Sequence, residues 1–165
     1  MQKIKASVRR ETEQRLRRLA RAATVLLDGE AFQGIPLDPA LNTGDDYAVH
    51  HENFLTIKKM LMKLKRLEDG DLGATTWRKW KDGEMEQVCP VDSYFMAVRP
   101  GNHPMTPAAA AAFAGETALH EFNFLGVPVL SVCAPIRDSL DDVVGVVELF
   151  ASLAPERARV GLLEV

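Results

Sequence analysis

The spacing of apolar residues changes from helical to strand-like near residue 74, and this change constrains the fold more than any other feature. Before it, apolar side chains recur every three or four residues in two long segments, as on one face of an amphipathic helix. After it come short apolar runs separated by turn residues, which is typical of antiparallel strands. A chain of 165 residues with 47% hydrophobic residues can bury one such core without disulfides or metal. We therefore expect a single α+β domain over residues 1–165.

Two long helices are predicted in the first half of the chain. The N-terminal helix covers about residues 3–28 and stops at Asp28-Gly29, and the Gly- and Pro-rich stretch 29–46 predicts an irregular connection. The second helix covers about residues 46–66 and should pack on a sheet. Its apolar stripe consists of Tyr47, His50, Phe54, Ile57, Leu61 and Leu64.

The sheet is predicted over about residues 74–150, with a C-terminal tail at 151–165. A hairpin turns at Lys81-Asp82-Gly83, and a polar loop from Asp92 to Thr106 follows it. A short alanine helix then begins with Thr106 as its cap and ends at Gly115. Three further strands are predicted at Ala118–Leu125, Val127–Ile136 and Val143–Phe150.

Charge is distributed unevenly along the chain. Residues 1–21 hold eight basic and two acidic side chains, a net charge of +6, so the other 144 residues carry −9 of the total of −3. This mild overall acidity argues against a nucleic-acid partner, because such proteins are usually basic throughout. We expect the N-terminal helix to lie on the domain core with a solvated basic side. The alternative is a dimerising helix, or one whose basic residues lie near lipid headgroups.

The residue pattern does not support catalysis, a metal site or a bound cofactor. The four histidines are scattered, and the common nucleophile, zinc and phosphate-loop motifs are missing. Cys89 and Cys133 form no C-x-x-C pair. Ser131 and Cys133 share one face of a strand and are interpreted as small core residues. We predict a binding protein that is not an enzyme.

Four phrases of the sequence, together with the long helix that ends in Leu-Asp-Gly, resemble the Cache family of sensor domains. They are Trp80-Lys81-Asp82-Gly83, Arg99-Pro100-Gly101, the run from Gly126 to Asp138, and Val143-Val144-Gly145-Val146-Val147. Cache domains are PAS-like extracytoplasmic modules of bacterial receptors, and the resemblance covers about residues 3–150. It implies a five-stranded antiparallel sheet in the order 2-1-5-4-3, with both long helices on one face. Two strands would then separate Cys89 from Cys133, so we expect no disulfide between them. The flap, residues 92–117, would then cover the other face and leave a pocket.

The resemblance also implies a function, which is ligand sensing in a bacterial signal-transduction receptor. The domain would be extracytoplasmic (periplasmic), would signal through its N-terminal helix and would form a homodimer through that helix. No stretch of the chain has the roughly 18 consecutive apolar residues of a membrane span, so the membrane would be reached only through flanking segments outside this chain. A cytoplasmic GAF- or PAS-type sensor and a ligand-free dimerisation module remain as alternatives.

The predicted anchor for the ligand is Arg99 in the flap. Its guanidinium offers paired donors that match a carboxylate, so an organic acid is the favoured small-molecule ligand. Tyr94 and His103 are predicted as further donors. The alternative is that Arg99 is a solvated loop residue paired with Asp92.

The strands supply the remaining candidate ligand contacts. Trp77 and Trp80 fall on opposite faces of their strand, so one of them is expected to face the pocket. His120 and Ser131 are predicted to contribute from the later strands. Glu148 interrupts an apolar strand face, where an unpaired charge is costly. We expect it to pair with a basic group, to lie at a frayed strand end, or to face the pocket.

Overall fold

A computed structural model describes residues 6–36, 52–67, 72–81, 83–91 and 102–154. Within these residues the chain forms four helices and six strands. In chain order they are α1 (Ala6–Leu26), α2 (Gly29–Gln33), α3 (Glu52–Arg66), β1 (Leu72–Lys79), β2 (Glu84–Val91), β3 (Asn102–Pro104), α4 (Pro107–Phe113), β4 (Ala118–Phe124), β5 (Val127–Arg137) and β6 (Val143–Ser152).

The six strands form one antiparallel sheet in the order β3-β2-β1-β6-β5-β4. If β3 is left out and the other strands are numbered 1 to 5 along the chain, this is the order 2-1-5-4-3 that the resemblance implied. The predicted α+β fold is therefore confirmed. The polar loop predicted from Asp92 to Thr106 is wrong at residues 102–104. These residues pair with β2 at the edge of the sheet, where Met85 lies opposite His103.

Helices α1 and α3 cover one face of the sheet, as predicted. Side chains alternate between the two faces of a strand, and the apolar residues that point to this face pack against both helices. The core cluster includes Leu16, Leu19 and Ala23 of α1, Phe54, Ile57, Leu61 and Leu64 of α3, and Val88, Leu130, Val132, Val147 and Leu149 of the sheet.

Most of the apolar stripe of α1 lies on this core. Ala20 and Ala23 are buried, whereas Val25 is 82% exposed and Leu26 is 42% exposed at the C-terminal end of the helix. No helix within the described ranges is both long enough and apolar enough to cross a membrane.

Helix α4 covers part of the opposite face. Its cap is the predicted one, because the Thr106 side chain accepts a hydrogen bond from the Ala109 N–H and Pro107 occupies the first turn. Gly115 follows the helix with φ of +100°, a left-handed conformation that favours glycine. Buried alanines on α4 let the helix approach the sheet closely, beside Trp77 and other residues of a second core cluster.

The short helix α2 replaces part of the irregular connection predicted for residues 29–46, and that prediction is wrong for residues 29–33. Asp28 follows α1 and also caps α2, since its side chain accepts a hydrogen bond from the Ala31 N–H at 3.1 Å. Phe32 is fully buried and its ring occupies the space above Gly145, where a Cβ atom would come within 2.2 Å of it. Burial of this one aromatic ring stabilises a helical turn that the Gly- and Pro-rich composition did not indicate.

Arg78 of β1 ties the segment after α2 to the sheet. One guanidinium nitrogen donates to the Ile35 carbonyl at 2.6 Å, and the other lies 3.2 Å from the Pro36 carbonyl and 3.1 Å from a Glu86 carboxylate oxygen. The guanidinium carbon lies 6.0 Å from the centroid of the Phe32 ring. The buried Arg78–Glu86 ion pair, through the bonds of Arg78 to the two carbonyls, therefore holds α2 and the segment after it against the centre of the sheet.

Cys89 and Cys133 are free, as predicted, and both are buried. They lie on β2 and β5, which are separated by two strands, and they belong to the cores on opposite faces of the sheet. A disulfide between them is therefore excluded by the geometry.

Candidate ligand-binding site on the sheet

The face of the sheet opposite α1 and α3 carries polar side chains on its central strands. Residues paired across antiparallel strands point to the same side. Cys133 pairs with Glu148, which pairs with Thr75. In the next row along the strands, Trp77 of β1 pairs with Gln87 of β2. We call Thr75, Trp77, Gln87, His103 and Glu148 the sheet site.

Trp77 and Glu148 form the best-defined contact of the sheet site. The indole N–H of Trp77 donates to a Glu148 carboxylate oxygen at 2.8 Å, across the β1–β6 pair. Trp77 is 6% exposed and Glu148 is half-buried. Glu148 thus lies inside β6, so the expectation of a frayed strand end is wrong. Its partner among the described residues is an indole, whereas a basic group was expected. The third expectation, that it faces a pocket, remains a prediction.

His103 joins this pair from the edge strand. Its ring lies 5.0 Å from the Trp77 ring, centroid to centroid, at an interplanar angle of 75°. This edge-to-face arrangement is a favourable one for aromatic rings. It arises because β3 pairs with β2 and so brings His103 to the same side as Met85 and Trp77. Two of the residues predicted from the sequence, Trp77 and His103, are therefore in contact.

The sequence prediction missed two residues of the sheet site, Gln87 and Thr75. Gln87 is 1% exposed, and within the part of the chain that the structure describes neither its amide nitrogen nor its amide oxygen has a hydrogen-bond partner. Thr75, also 1% exposed, has a weak contact at 3.5 Å to the carbonyl of the next residue. A signal was present in the sequence. Gln87 is two residues after Met85 on the strand, so its side chain points to the same side, towards an apolar core. The same reasoning had singled out Glu148.

The other predicted contacts lie away from this cluster or outside the described residues. His120 stacks on Phe122, with centroids 5.3 Å apart, and pairs across the strands with Ser131. Ser131 is fully buried, and no described residue forms a hydrogen bond with its hydroxyl. Three strand spacings, about 14 Å, separate β5 from β2, so Ser131 and Gln87 do not meet at one small ligand. Trp80 follows β1 in the hairpin, half-buried, and its backbone N–H donates to the Glu84 carbonyl at 3.1 Å.

Arg99 and Tyr94, the principal anchor predicted from the flap and its assistant, lie outside the described residues. Their roles remain predictions. Within the described ranges, no group of three His, Cys, Asp or Glu residues is arranged to hold a metal ion.

Cys133 borders the sheet site beside Glu148 and is held in its thiol form. Burial raises the pKa of the Cys133 thiol, and the negative charge of Glu148 raises the pKa further. The nucleophilic form of cysteine is the thiolate. The position therefore favours the interpretation of Cys133 as a core residue beside the site.

A comparison with solved structures returns sensory, ligand-binding and periplasmic domains of bacterial proteins. No family model and no curated protein matches the sequence. Among solved structures, the sensory domain of the Campylobacter jejuni chemoreceptor Tlp3 with isoleucine bound is 12% identical, with a TM-score of 0.40 over 90% of this chain and 62% of that one. The ligand-binding domain of the same receptor in complex with L-valine is also 12% identical, with a TM-score of 0.40 over 90% of this chain and 63% of that one. The periplasmic domain of RsbU from Chlamydia trachomatis is 12% identical, with a TM-score of 0.35 over 89% of this chain and 52% of that one.

The chain thus spans less than two thirds of the length of each of these structures. The proposals that follow rest on the contacts described above.

Proposed function

We propose that this chain is the ligand-sensing domain of a bacterial signal-transduction receptor, with a small polar molecule bound between the sheet site and the flap. The observation that carries the proposal is the buried amide of Gln87, whose two polar atoms have no hydrogen-bond partner among the described residues. A buried amide without hydrogen bonds costs about 1–3 kcal/mol, and such groups are rare in native proteins. A bound polar ligand would restore these bonds and would explain why the residue is not apolar.

The surroundings of Gln87 are suited to a small ligand with both polar and planar parts. Its amide offers a donor and an acceptor, and Trp77 lies opposite it on the next strand. The Glu148 carboxylate, already bonded to the Trp77 indole, is a second acceptor on the same face. An organic acid remains the favoured ligand class, with its carboxylate accepting from the Gln87 amide and from Arg99.

Replacing Gln87 with Met tests the proposal, because it keeps the length of the side chain and removes the two unpartnered atoms. We expect the unliganded variant to melt at a higher temperature than the parent, since the cost of the buried amide is removed. The same variant should lose the thermal shift that a bound acid gives the parent. The matched control is Gln33→Met, which makes the same change at an exposed position at the end of α2 and should alter neither quantity.

The measurement is differential scanning fluorimetry with a panel of small carboxylates, after native mass spectrometry of freshly purified protein to find any co-purified molecule. A parent protein that retains no molecule and responds to no acid would contradict ligand sensing. If Gln87→Met is also more stable in that case, the ligand-free dimerisation module is favoured. An acid that shifts Gln87→Met as much as the parent would contradict the proposed position of the site.

Arg99 is tested separately, because its role is proposed from the sequence alone. Arg99→Ala is expected to weaken binding of an acid found in the panel by roughly 2–4 kcal/mol if the ion pair is desolvated. Stability without ligand should barely change. An unaltered affinity would make Arg99 an ordinary solvated charge, and the anchor would then be sought among the strand residues.

Signalling is proposed to pass through α1, in a homodimer that joins the two N-terminal helices. The exposed Val25 is the support for this contact, because it lies on α1 outside the face that packs on the core. Val25→Lys should lower the dimer fraction in sedimentation velocity, whereas Leu67→Lys, at an exposed apolar position after α3, should leave it unchanged. Equal effects of the two changes would contradict a dimer through α1.

The periplasmic location is proposed together with the receptor function. Hydrophobic spans on both sides of the domain in a full-length protein would support it. Full-length sequences without such spans would favour the alternative, a cytoplasmic GAF- or PAS-type sensor.

A further inference from the structure

A cleft of about 330 Å³ opens where α1 passes the beginning of β4. The described residues that line it are Arg17, Ala20 and Arg21 of α1 and Thr117, which precedes β4. Ala20 is 2% exposed, and its small side chain leaves space between the two arginines. The volume is at the lower end of small-molecule sites, which measure about 300–1,000 Å³. The cleft therefore suits a small group better than a large cofactor.

The two arginines that line this cleft differ in their ion pairs within the described part of the chain. Between residues 9 and 21, α1 carries six arginines and two glutamates. One of the glutamates, Glu13, lies 3.6 Å from Arg17 and 3.9 Å from Arg9. Arg9 lies closer to Glu121 of β4, at 3.0 Å. Among the described residues, no carboxylate forms an ion pair with Arg21. Since like charges four residues apart on a helix repel each other, an anion between Arg17 and Arg21 would be stabilising.

The groups that line the cleft match an oxyanion. Two guanidinium groups one helical turn apart present planar pairs of donors, which is the geometry that phosphate and carboxylate oxygens accept. The Thr117 hydroxyl adds a donor from the strand side of the cleft. A phosphate carries more negative charge than a single carboxylate and can accept from both arginines at once.

We propose that the α1–β4 cleft binds a phosphate group through Arg17 and Arg21, at a site separate from the sheet site. The phosphate is either free in solution or part of an anionic lipid headgroup. A group bound here contacts both α1 and the segment before β4. It would therefore hold the N-terminal helix against the edge of the sheet.

The first test is calorimetric titration of the protein with inorganic phosphate at constant ionic strength. Arg17→Gln and Arg21→Gln are each expected to weaken binding about tenfold, the loss typical of one charge-assisted hydrogen bond. The matched control is Arg10→Gln, which removes the same charge from an exposed position on α1. Arg10 lies two helical turns, about 10 Å, before Arg17. It should change the affinity less than about twofold. All three arginines are exposed, and circular dichroism would verify that the variants fold.

The second test is cosedimentation with vesicles of phosphatidylcholine, with and without phosphatidylglycerol. Binding to inorganic phosphate that depends on Arg17 and Arg21 identifies free phosphate as a ligand. Binding only to the phosphatidylglycerol vesicles, lost in the same two variants, identifies a lipid headgroup. Thr117→Val should weaken either interaction without changing charge.

Two results would overturn this inference. One is that neither inorganic phosphate nor vesicles give saturable binding. The other is that Arg10→Gln weakens binding as much as Arg21→Gln, since the attraction would then come from the overall charge of α1. Neither result bears on the sheet site, which is tested by the response of Gln87→Met to carboxylates.

Discussion

Replacing Arg78 with Met measures how strongly the connection after α2 is held to the sheet. Arg78 is 8% exposed and Glu86 is 2% exposed, and the guanidinium also bonds the Ile35 and Pro36 carbonyls. Methionine keeps most of the apolar stem and removes all of these polar contacts. Loss of one partner from a buried ion pair costs about 3–5 kcal/mol, against a total stability of about 5–15 kcal/mol for a domain. At about 2–4 °C per kcal/mol for a chain of this size, the melting temperature should fall by roughly 6–20 °C.

The assay is urea denaturation followed by circular dichroism, which gives the free energy of unfolding and its dependence on urea. The double variant Arg78→Met/Glu86→Leu should be more stable than Arg78→Met alone, because a well-packed apolar pair replaces a buried ion pair at little cost. The two substitutions should therefore be non-additive by about 0.5–3 kcal/mol. Arg66→Met, at an exposed position at the end of α3, serves as the control and should change stability by less than about 0.5 kcal/mol.

A loss below about 1 kcal/mol for Arg78→Met would refute this reasoning, since exposed ion pairs contribute only that much. Additive effects in the double variant would refute it as well. In either case, the position of α2 would depend on the burial of Phe32 alone.

The remaining predictions concern thiols, packing and capping. Denatured, non-reduced protein should show two free thiols, and native protein should react slowly with disulfide reagents up to about pH 9. Burial is the reason, since it raises the pKa of Cys89 to about 12 and that of Cys133 further still; a count of zero in denatured monomer would contradict the strand order. Gly145→Ala should lower the free energy of unfolding by about 1–3 kcal/mol, because the new Cβ atom would meet the Phe32 ring; a neutral result in urea denaturation would mean that the ring moves freely. Asp28→Ala should cost about 0.5–2 kcal/mol through loss of the α2 cap, and Asp28→Asn, which retains the cap, should restore most of that loss in the same assay.

The fold was more predictable than the site. Local residue patterns indicated α1, α3, α4 and every strand except β3, and the family resemblance supplied the order of five strands. The sheet site depends on pairings that leave little trace in the sequence. His103 reaches Trp77 through β3, which has three residues within a polar, Pro- and Gly-rich segment and therefore shows no alternation of apolar residues. Gln87 was detectable only by placing it on the same side as Met85.

What the sequence by itself determined is the local structure, where the cause lies within a few residues. Thr106 and Gly115 bound α4 through a cap and a left-handed residue, and Leu125-Gly126 form a tight turn with φ of 49° and 82°. The tertiary structure alone decided which polar groups are buried together. The Trp77–Glu148 hydrogen bond joins residues 71 positions apart, and its partners meet only because β1 and β6 are neighbours. Strand pairing fixes side-chain direction across the sheet, so these distant residues share one face, although neither segment specifies the other.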